Sequence, residues 1–339
     1  MKFGVFDHLD ASGAPLALFY ENRLRLAEVY DRMGIHALHV AEHHATPLGM
    51  SPSPSVFLSA LAQRTQRLRF GPLVYTLALY HPLRLADEIC MLDQLSRGRL
   101  ELGVGRGVSP IEIEHFGFDP AKSQSMYVEA YQVILKALQS KTLTFEGEYY
   151  RFRDVPMHLT PYQRPHPPIW YGLSNPESAD FAAQNRFNVV SNAAPKAVRV
   201  ITDRYRAAWE KAGNDPARIP FMGMARHVVI ADTEAEAMRL ARRAYARWWE
   251  SFIYLWKLRG QTPPFTTYTA DFDAVLANGQ AIVGSPEQVR DAIASQVAEA
   301  GLNYMLLRFA FGDLTLDESL RSVHLFAAYV QPALEEAPA

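Results

Sequence analysis

Short apolar runs recur along the chain and alternate with longer segments whose apolar residues are spaced three and four positions apart. Eight of these runs are predicted to be β-strands, at residues 2–6, 36–41, 68–75, 100–105, 169–172, 188–191, 222–231 and 304–309. The intervening segments carry the apolar stripe of a surface helix, for example Leu85, Ile89 and Leu92. Alternating strands and helices are typical of a parallel sheet, and eight such units close a barrel. The pattern therefore predicts the α/β class and a (β/α)8 TIM barrel.

Two stretches are longer than the repeat allows, at about 116–168 and 248–280, and both are predicted to be loop insertions. The first contains a predicted helix at 126–138 and a predicted hairpin at 142–150. The second begins with a crowded set of aromatic side chains, and we expect it to form a lid. No linker or further repeat interrupts the pattern, so a single domain is expected over 1–339.

Composition narrows the class of function. Hydrophobic residues make up 49% of the chain, while 34 Lys and Arg against 36 Asp and Glu leave a net charge of −2. This balance argues against a nucleic-acid binder held by phosphate contacts. The sequence shows neither a signal peptide nor a membrane-spanning apolar run, and its one cysteine, Cys90, fits a reducing compartment. We expect a soluble, cytoplasmic protein that binds neither nucleic acid nor membrane.

The polar residues that follow the predicted strands are the candidates for chemistry, because a barrel places its site at the carboxyl ends of its strands. Glu42, His43 and His44 follow the second strand, where a carboxylate beside an imidazole suits proton transfer. A loop with surface histidines is the simpler alternative. A metal site is a further one, although adjacent histidines on a strand point to opposite faces and no Asp or Cys set completes the ligands.

Glycine-rich sequence around Arg106 follows the fourth strand, from Gly103 to Gly107. Glycines permit a sharp turn and close approach of the backbone to a ligand, and a guanidinium can bind a phosphate or a polar ring edge. The glycine spacing does not match the dinucleotide fingerprint. This segment alone is therefore weak evidence for a cofactor.

A second candidate phosphate-binding site is predicted after Gly172, where a helix is expected to begin at Pro176. Free N–H groups at a helix start bind phosphate, and the hydroxyls of Ser174 and Ser178 could add hydrogen bonds. An ordinary capped helix is the alternative. Near Leu73, apolar backbone at the barrel mouth could support a flat ring, although such segments are more often core.

Six motifs occur together in one order along the chain. They are residues 1–6, Ala41-Glu42-His43-His44, His81-Pro82-Leu83-Arg84, residues 91–100, Gly103-Val104-Gly105-Arg106-Gly107 and Pro168-Ile169-Trp170, and residues 284–289 fit the carboxyl-terminal part. Taken in this order, they resemble the bacterial luciferase-like flavin-dependent monooxygenases. Six collinear motifs make chance agreement improbable.

The resemblance implies a barrel that binds reduced FMN or, in one branch, the deazaflavin F420. His43 matches the family's catalytic histidine, with Glu42 beside the flavin and His44 as a further catalytic candidate. Leu73 and Val74 match a non-prolyl cis peptide that lies against the flavin ring. The resemblance assigns the remaining cofactor contacts to Gly105, Arg106, Val108, Gly172, Ser174, Asn175 and Ser178.

Two departures limit what the resemblance implies. Gly105 stands where the luciferase α subunit has a reactive cysteine, and Gln124 stands where it has a second phosphate-binding arginine. These departures argue against light emission from a long-chain aldehyde and leave the expectation of flavin chemistry unchanged.

The resulting hypothesis is a monooxygenase that uses reduced FMN and O2, through a C4a-hydroperoxyflavin, to oxygenate a small, largely apolar substrate. His43 would move a proton, and a separate NAD(P)H:flavin reductase would supply the reduced flavin because the chain lacks a nicotinamide fingerprint. The resemblance also implies a homodimer through the helices near 57–64 and 85–95. Three alternatives remain, namely hydride transfer with F420, a non-catalytic flavin-binding subunit and a metal-dependent hydrolase.

Overall fold

The computed structural model describes residues 1–263 and 268–335. Its strands are β1 (Lys2–Asp7), β2 (Ala37–Val40), β3 (Arg69–Pro72), β4 (Tyr75–Thr76), β5 (Leu102–Gly105), β6 (Thr142–Glu146), β7 (Arg151–Pro156), β8 (Ile169–Gly172), β9 (Asn188–Ser191), β10 (Met222–Ile230), β11 (Ala281–Gly284) and β12 (Tyr304–Arg308). Its α-helices are α1 (Leu16–Arg32), α2 (Pro54–Arg64), α3 (Pro82–Leu95), α4 (Pro110–His115), α5 (Ser123–Gln139), α6 (Ser178–Gln184), α7 (Pro195–Lys211), α8 (Glu234–Phe252), α9 (Tyr254–Leu258), α10 (Phe272–Ala277), α11 (Pro286–Ala300), α12 (Leu316–Leu325) and α13 (Gln331–Glu335).

Nine strands form one parallel path, in the order β3, β2, β1, β12, β10, β9, β8, β5, β4. Strands β3 and β4 are two pieces of one run, separated by a cis peptide bond between Leu73 and Val74. The ends of the path meet because β4 pairs with β5 and Phe70 forms a bridge with Leu100. The ring therefore has eight positions, and the predicted (β/α)8 barrel is confirmed.

The insertions differ from their predicted bounds. In the first, α5 extends the helix predicted at 126–138, and an antiparallel hairpin of β6 and β7 turns at 147–150. The second starts later than predicted, because the aromatic residues from Trp248 to Phe252 continue α8 as packed helical positions. Residues 264–267 of the predicted lid lie outside the described residues. Strand β11 was not predicted; its four residues directly follow the supposed insertion, and it pairs with β10 outside the ring.

The barrel interior contains an apolar cluster, with the buried His39 against its Trp170, and further polar side chains toward the carboxyl ends of the strands. Its inner apolar cluster consists of Phe6, Ala41, Trp170, Val190, Ala225, Tyr304 and Leu306, with Leu73 packed against it. Because side chains alternate along a strand, the next inward positions on β1, β10 and β12 belong to His8, His227 and Arg308. His8, His227 and Arg308 therefore lie between the apolar cluster and the mouth of the barrel.

The helices cover the outside of the ring and complete the core. Cys90 lies on α3 and is buried among apolar side chains. None of the helices among the described residues combines the length and the apolar character that spanning a membrane requires.

Candidate functional site

Glu42 connects the end of β2 to the adjacent strand β4 through hydrogen bonds. Its side chain is fully buried and accepts hydrogen bonds from the Tyr80 hydroxyl at 2.8 Å and from the Thr76 N–H at 3.3 Å. The Nε2 atom of His44 lies 2.9 Å from the other carboxylate oxygen. Glu42 therefore holds together the segment that follows the cis peptide and the loop that carries the two histidines.

His43 is oriented by a different carboxylate. Its Nδ1 lies 3.1 Å from Glu112 Oε1, and the His44 N–H donates to Glu112 Oε2 at 2.8 Å. Burial alone would raise the pKa of Glu112, but the attraction of His43 and these hydrogen bonds together hold it below its usual value. An ionised Glu112 accepts the Nδ1 proton, which leaves Nε2 of His43 as the basic nitrogen. That Nε2 has no hydrogen-bond partner among the described residues.

Glu112 was missed in the sequence, although a local signal marks it. Ser109 begins α4 and its hydroxyl accepts the Glu112 N–H, with Pro110 in the first turn. A serine followed three residues later by glutamate predicts a capping box, in which the carboxylate returns to the cap. Here the carboxylate turns to His43 and His44 instead. The spacing predicts the helix start, but only the tertiary structure shows this second use.

His8 is a further residue that sequence reasoning missed. It directly follows β1, and its ring lies beside that of His43 with centroids 5.9 Å apart. The Trp248 indole N–H donates to His8 Nδ1 at 3.4 Å. Burial, and then the charges of Arg308, His43 and His227, lower the pKa of His8 well below its usual value. His8 is therefore neutral, and the rule that selected Glu42 would also have selected it.

The cis peptide lies over a glycine that has no room for a side chain. A Cβ atom at Gly105 would lie 2.6 Å from Val74 Cγ2. The branched valine cannot rotate away without changing its χ1 rotamer. Gly105 is therefore what allows the Leu73–Val74 segment to lie against β5.

The resemblance implies reduced FMN as the cofactor, and on that expectation Gly105→Ala should displace Val74 and weaken the binding of reduced FMN by at least about tenfold, since one methyl overlap costs on the order of 1–3 kcal/mol. The measurement is anaerobic titration of reduced FMN by fluorescence. The double variant Gly105→Ala/Val74→Ala removes the overlap and should recover most of the affinity. Equal loss in both variants would show that the contact does not position the segment.

The proposed phosphate residues lie at the ends of the paired strands β5 and β8. Arg106 and Val108 are exposed, and Arg106 makes no hydrogen bond or ion pair within the described residues. Above Gly172 the space is open, since a Cβ there would meet no atom within 4 Å. An uncommitted guanidinium beside open space and exposed Ser174 fits a phosphate group.

Helix α6 begins at Ser178 rather than at Pro176, so that prediction was wrong by two residues. The Asn175 side chain accepts the Glu177 N–H at 2.9 Å, and this local turn keeps 175–177 outside the helix. Asn175, like Ser174, is exposed at the mouth, while Ser178 is half-buried.

The two adjacent histidines lie in the loop after β2 rather than on the strand, and they are held by different carboxylates. Across residues 1–263 and 268–335, no three His, Cys, Asp or Glu side chains are grouped in a way that could hold a metal ion. Imidazoles held by carboxylates are suited to acid–base chemistry.

Comparison with known proteins agrees with this geometry. A family model described as luciferase-like monooxygenase matches residues 1–304. An uncharacterized protein of Sinorhizobium fredii is 44% identical over 321 residues, which cover 94% of this chain and 93% of that protein. The oxygenase component of the flavin-dependent trigonelline monooxygenase of Acinetobacter baylyi is 31% identical over 244 residues, covering 70% of this chain and 67% of its own.

A solved structure extends the agreement to the whole fold. The crystal structure of monooxygenase RslO1 from Streptomyces bottropensis has a TM-score of 0.87 and 30% sequence identity, covering 98% of this chain and 100% of that one. The family that the six motifs resemble is thereby confirmed. The chain belongs to the luciferase-like monooxygenases.

Proposed function

We propose that the protein is the oxygenase component of a two-component system, which takes reduced FMN from a separate NAD(P)H:flavin reductase and transfers one atom of O2 to a small organic substrate. The observation that carries the proposal is His43, whose Nδ1 is held by Glu112 while Nε2 stays uncommitted at the mouth of the barrel. The oxygenase component from Acinetobacter baylyi supports the division of labour with a reductase.

The flavin would lie along the ends of β8, β5 and β4. Arg106, Ser174, Asn175 and Ser178 would hold its phosphate beside Gly172, with Gly105 and Val108 close by. The Leu73–Val74 segment would support the ring. Reduced FMN, when bound, supplies the electrons that activate O2 and the site from which oxygen is transferred.

His43 would serve as the proton donor and acceptor at Nε2. Glu112 keeps the proton on Nδ1 and stabilises the imidazolium that forms when Nε2 takes up a proton. His44 has its Nε2 bound to Glu42, and its ring meets Phe116 edge-on with centroids 4.7 Å apart. We therefore assign the proton transfer first to His43, keep His44 as the second candidate, and assign Glu42 to positioning.

The wall beside His43 would exclude water. Trp248 is fully buried and stacks against Phe252 with ring centroids 4.7 Å apart, while its indole N–H holds His8. An apolar, water-excluding site protects reactive oxygen species from hydrolysis and side reactions.

The homodimer stays part of the proposal. Val56 on α2 and Met91 and Leu95 on α3 are exposed apolar residues on the two helices expected to form the interface. A sedimenting species of monomer mass at micromolar concentration would contradict it. Cytoplasmic location likewise stays a prediction.

The test combines anaerobic binding with isotope transfer. We expect the protein to bind reduced FMN and, with a flavin reductase, NADH and ¹⁸O₂, to yield a product heavier by one ¹⁸O atom, with the second oxygen released as water. The first substrate panel contains trigonelline, after which the relative from Acinetobacter baylyi is named, and other small N-heteroaromatic and alicyclic compounds.

Failure to bind reduced FMN would overturn the proposal. Oxygen-independent oxidation of reduced F420 would instead support the deazaflavin alternative. Tight binding of reduced FMN without oxygen transfer to any member of a broad panel would favour the non-catalytic flavin-binding subunit.

A further inference from the structure

Arg308 carries a buried positive charge without a counter-ion. It lies at the end of β12 with only 1% of its surface exposed, and no Asp or Glu of the described residues forms an ion pair with it. Its terminal nitrogens donate to two neutral acceptors, the Tyr268 hydroxyl at 2.7 Å and Asn192 Oδ1 at 3.0 Å, and its Nε has no partner in the part of the chain that the structure describes. A buried cation without a carboxylate is costly, so its retention points to a ligand.

Aromatic rings offset part of that cost without neutralising the charge. The guanidinium carbon lies 5.0 Å from the centre of the Phe6 ring and 5.6 Å from that of Tyr268. Such cation–π contacts stabilise a desolvated cation by less than the burial of an unpaired ion costs. The charge therefore remains available to an anion.

The side chains next to Arg308 offer further hydrogen-bond donors. His227 is paired with Arg308 in the sheet register and is buried, and neither of its ring nitrogens has a hydrogen-bond partner within residues 1–263 and 268–335. Burial and the charge of Arg308 lower the pKa of His227 well below its usual value, so its ring is neutral and carries one N–H. His8 accepts a hydrogen bond at Nδ1, which leaves an N–H at Nε2.

Arg308, His227 and His8 lie across the barrel from the proposed flavin-binding site. In the ring of eight positions, β12 lies four positions from β5, and its neighbours β1 and β10 carry His8 and His227. Phe6, which lies under Arg308, belongs to the same inner cluster against which Leu73 packs. Asn192 is exposed at the end of β9, and so connects the guanidinium to the mouth.

We propose that Arg308 binds a carboxylate of the substrate, with His227 and His8 as additional donors, so that this enzyme selects small organic acids. A carboxylate would exchange with the neutral oxygens of Tyr268 and Asn192 and take two parallel hydrogen bonds from the guanidinium. The inference rests on the proposed function for the position of the flavin, and it refines the largely apolar substrate expected from the sequence. The substrate would have an apolar body and an acidic end.

The test measures binding of matched acids and amides to the full-length protein by calorimetry, with and without reduced FMN under argon. The probe pairs are acetate and acetamide, benzoate and benzamide, and hexanoate and hexanamide. In the wild-type protein, at least one acid should bind at least tenfold more tightly than its amide. Arg308→Met should remove that preference, Arg308→Lys should keep a large part of it, and Arg247→Met, at an exposed position of α8, should leave it unchanged.

Two results would overturn the inference. One is a wild-type protein that prefers no acid over its amide, a comparison that does not depend on whether any variant folds. The other is an Arg308→Met variant that binds reduced FMN at least tenfold more weakly but keeps the acid preference, since the guanidinium would then serve the flavin. Failure of the proposed function would be seen separately, because the protein would then bind no reduced FMN. The titrations without flavin would still measure the preference for acids over amides.

Discussion

Replacing His43 with alanine is expected to lower the rate of substrate oxygenation by about 10²- to 10⁴-fold, the usual contribution of a positioned general acid–base. The reason is that the ionised Glu112 holds Nδ1 of His43 and leaves its Nε2 without a partner among the described residues. His44 Nε2 is bound to Glu42, and His8 is tied to Trp248 and kept neutral. The affinity for reduced FMN should change by less than about threefold, since the proposed cofactor contacts lie on other strands. Single-turnover kinetics with ¹⁸O₂ would separate the two quantities.

Two further variants make this result specific. Glu112→Gln keeps an acceptor for Nδ1 but loses the charge that stabilises the imidazolium, so we expect a smaller loss, about tenfold, together with a changed pH profile. His158→Ala replaces an exposed histidine of the first insertion and should match the wild-type rate. Full coupled oxygenation by His43→Ala would refute the role of this residue.

Glu42→Ala is expected to reduce the free energy of unfolding by about 3 kcal/mol, because it leaves buried donors without an acceptor. The Tyr80 hydroxyl and the Thr76 N–H both point at the deleted carboxylate. Burial, and then the charge of Glu42, raise the pKa of Tyr80 far above its usual value, so the phenol stays protonated and cannot adapt by ionising. Urea denaturation would measure the loss.

Tyr80→Phe is the matched comparison for Glu42→Ala. It removes one hydrogen bond to the same carboxylate and leaves two, so we expect a cost of about 1 kcal/mol. Glu42→Ala should also weaken the proposed binding of reduced FMN, since Glu42 holds Thr76 in the segment that follows the proposed ring contacts Leu73 and Val74. A loss for Glu42→Ala no larger than that for Tyr80→Phe would mean that water replaces the carboxylate.

The strands of the barrel were predictable because burial on both faces leaves short, continuous apolar runs. The break within 68–75 was not, since Leu73 and Val74 are as apolar as their neighbours and only the family resemblance pointed to a cis peptide there. Strand β11 was missed for a related reason: it is a short apolar run of four residues that pairs with β10 outside the ring.

In the candidate site, loops were easier to predict than strands. Glu42 and His43 stood out because they follow a strand, whereas His227 and Arg308 lie within strands that read as buried core. The sequence signal for His227 and Arg308 is an ionisable residue inside an apolar run. Burying such a side chain costs free energy unless a partner or a ligand compensates for it. Glu112 could not be paired with His43 from sequence, because 69 residues separate them and only the closed ring brings them together.

The isolation of Cys90 makes the natural chain a ready background for site-directed labelling. Burial raises the pKa of its thiol to about 12, with nearby Asp87 and Asp93 adding to the effect. A thiol that is both buried and protonated at neutral pH reacts slowly with maleimides and methanethiosulfonates. A cysteine introduced at an exposed position could thus carry a spin label or a fluorophore while every native residue elsewhere is kept, and distances across the barrel mouth could be followed as ligands bind.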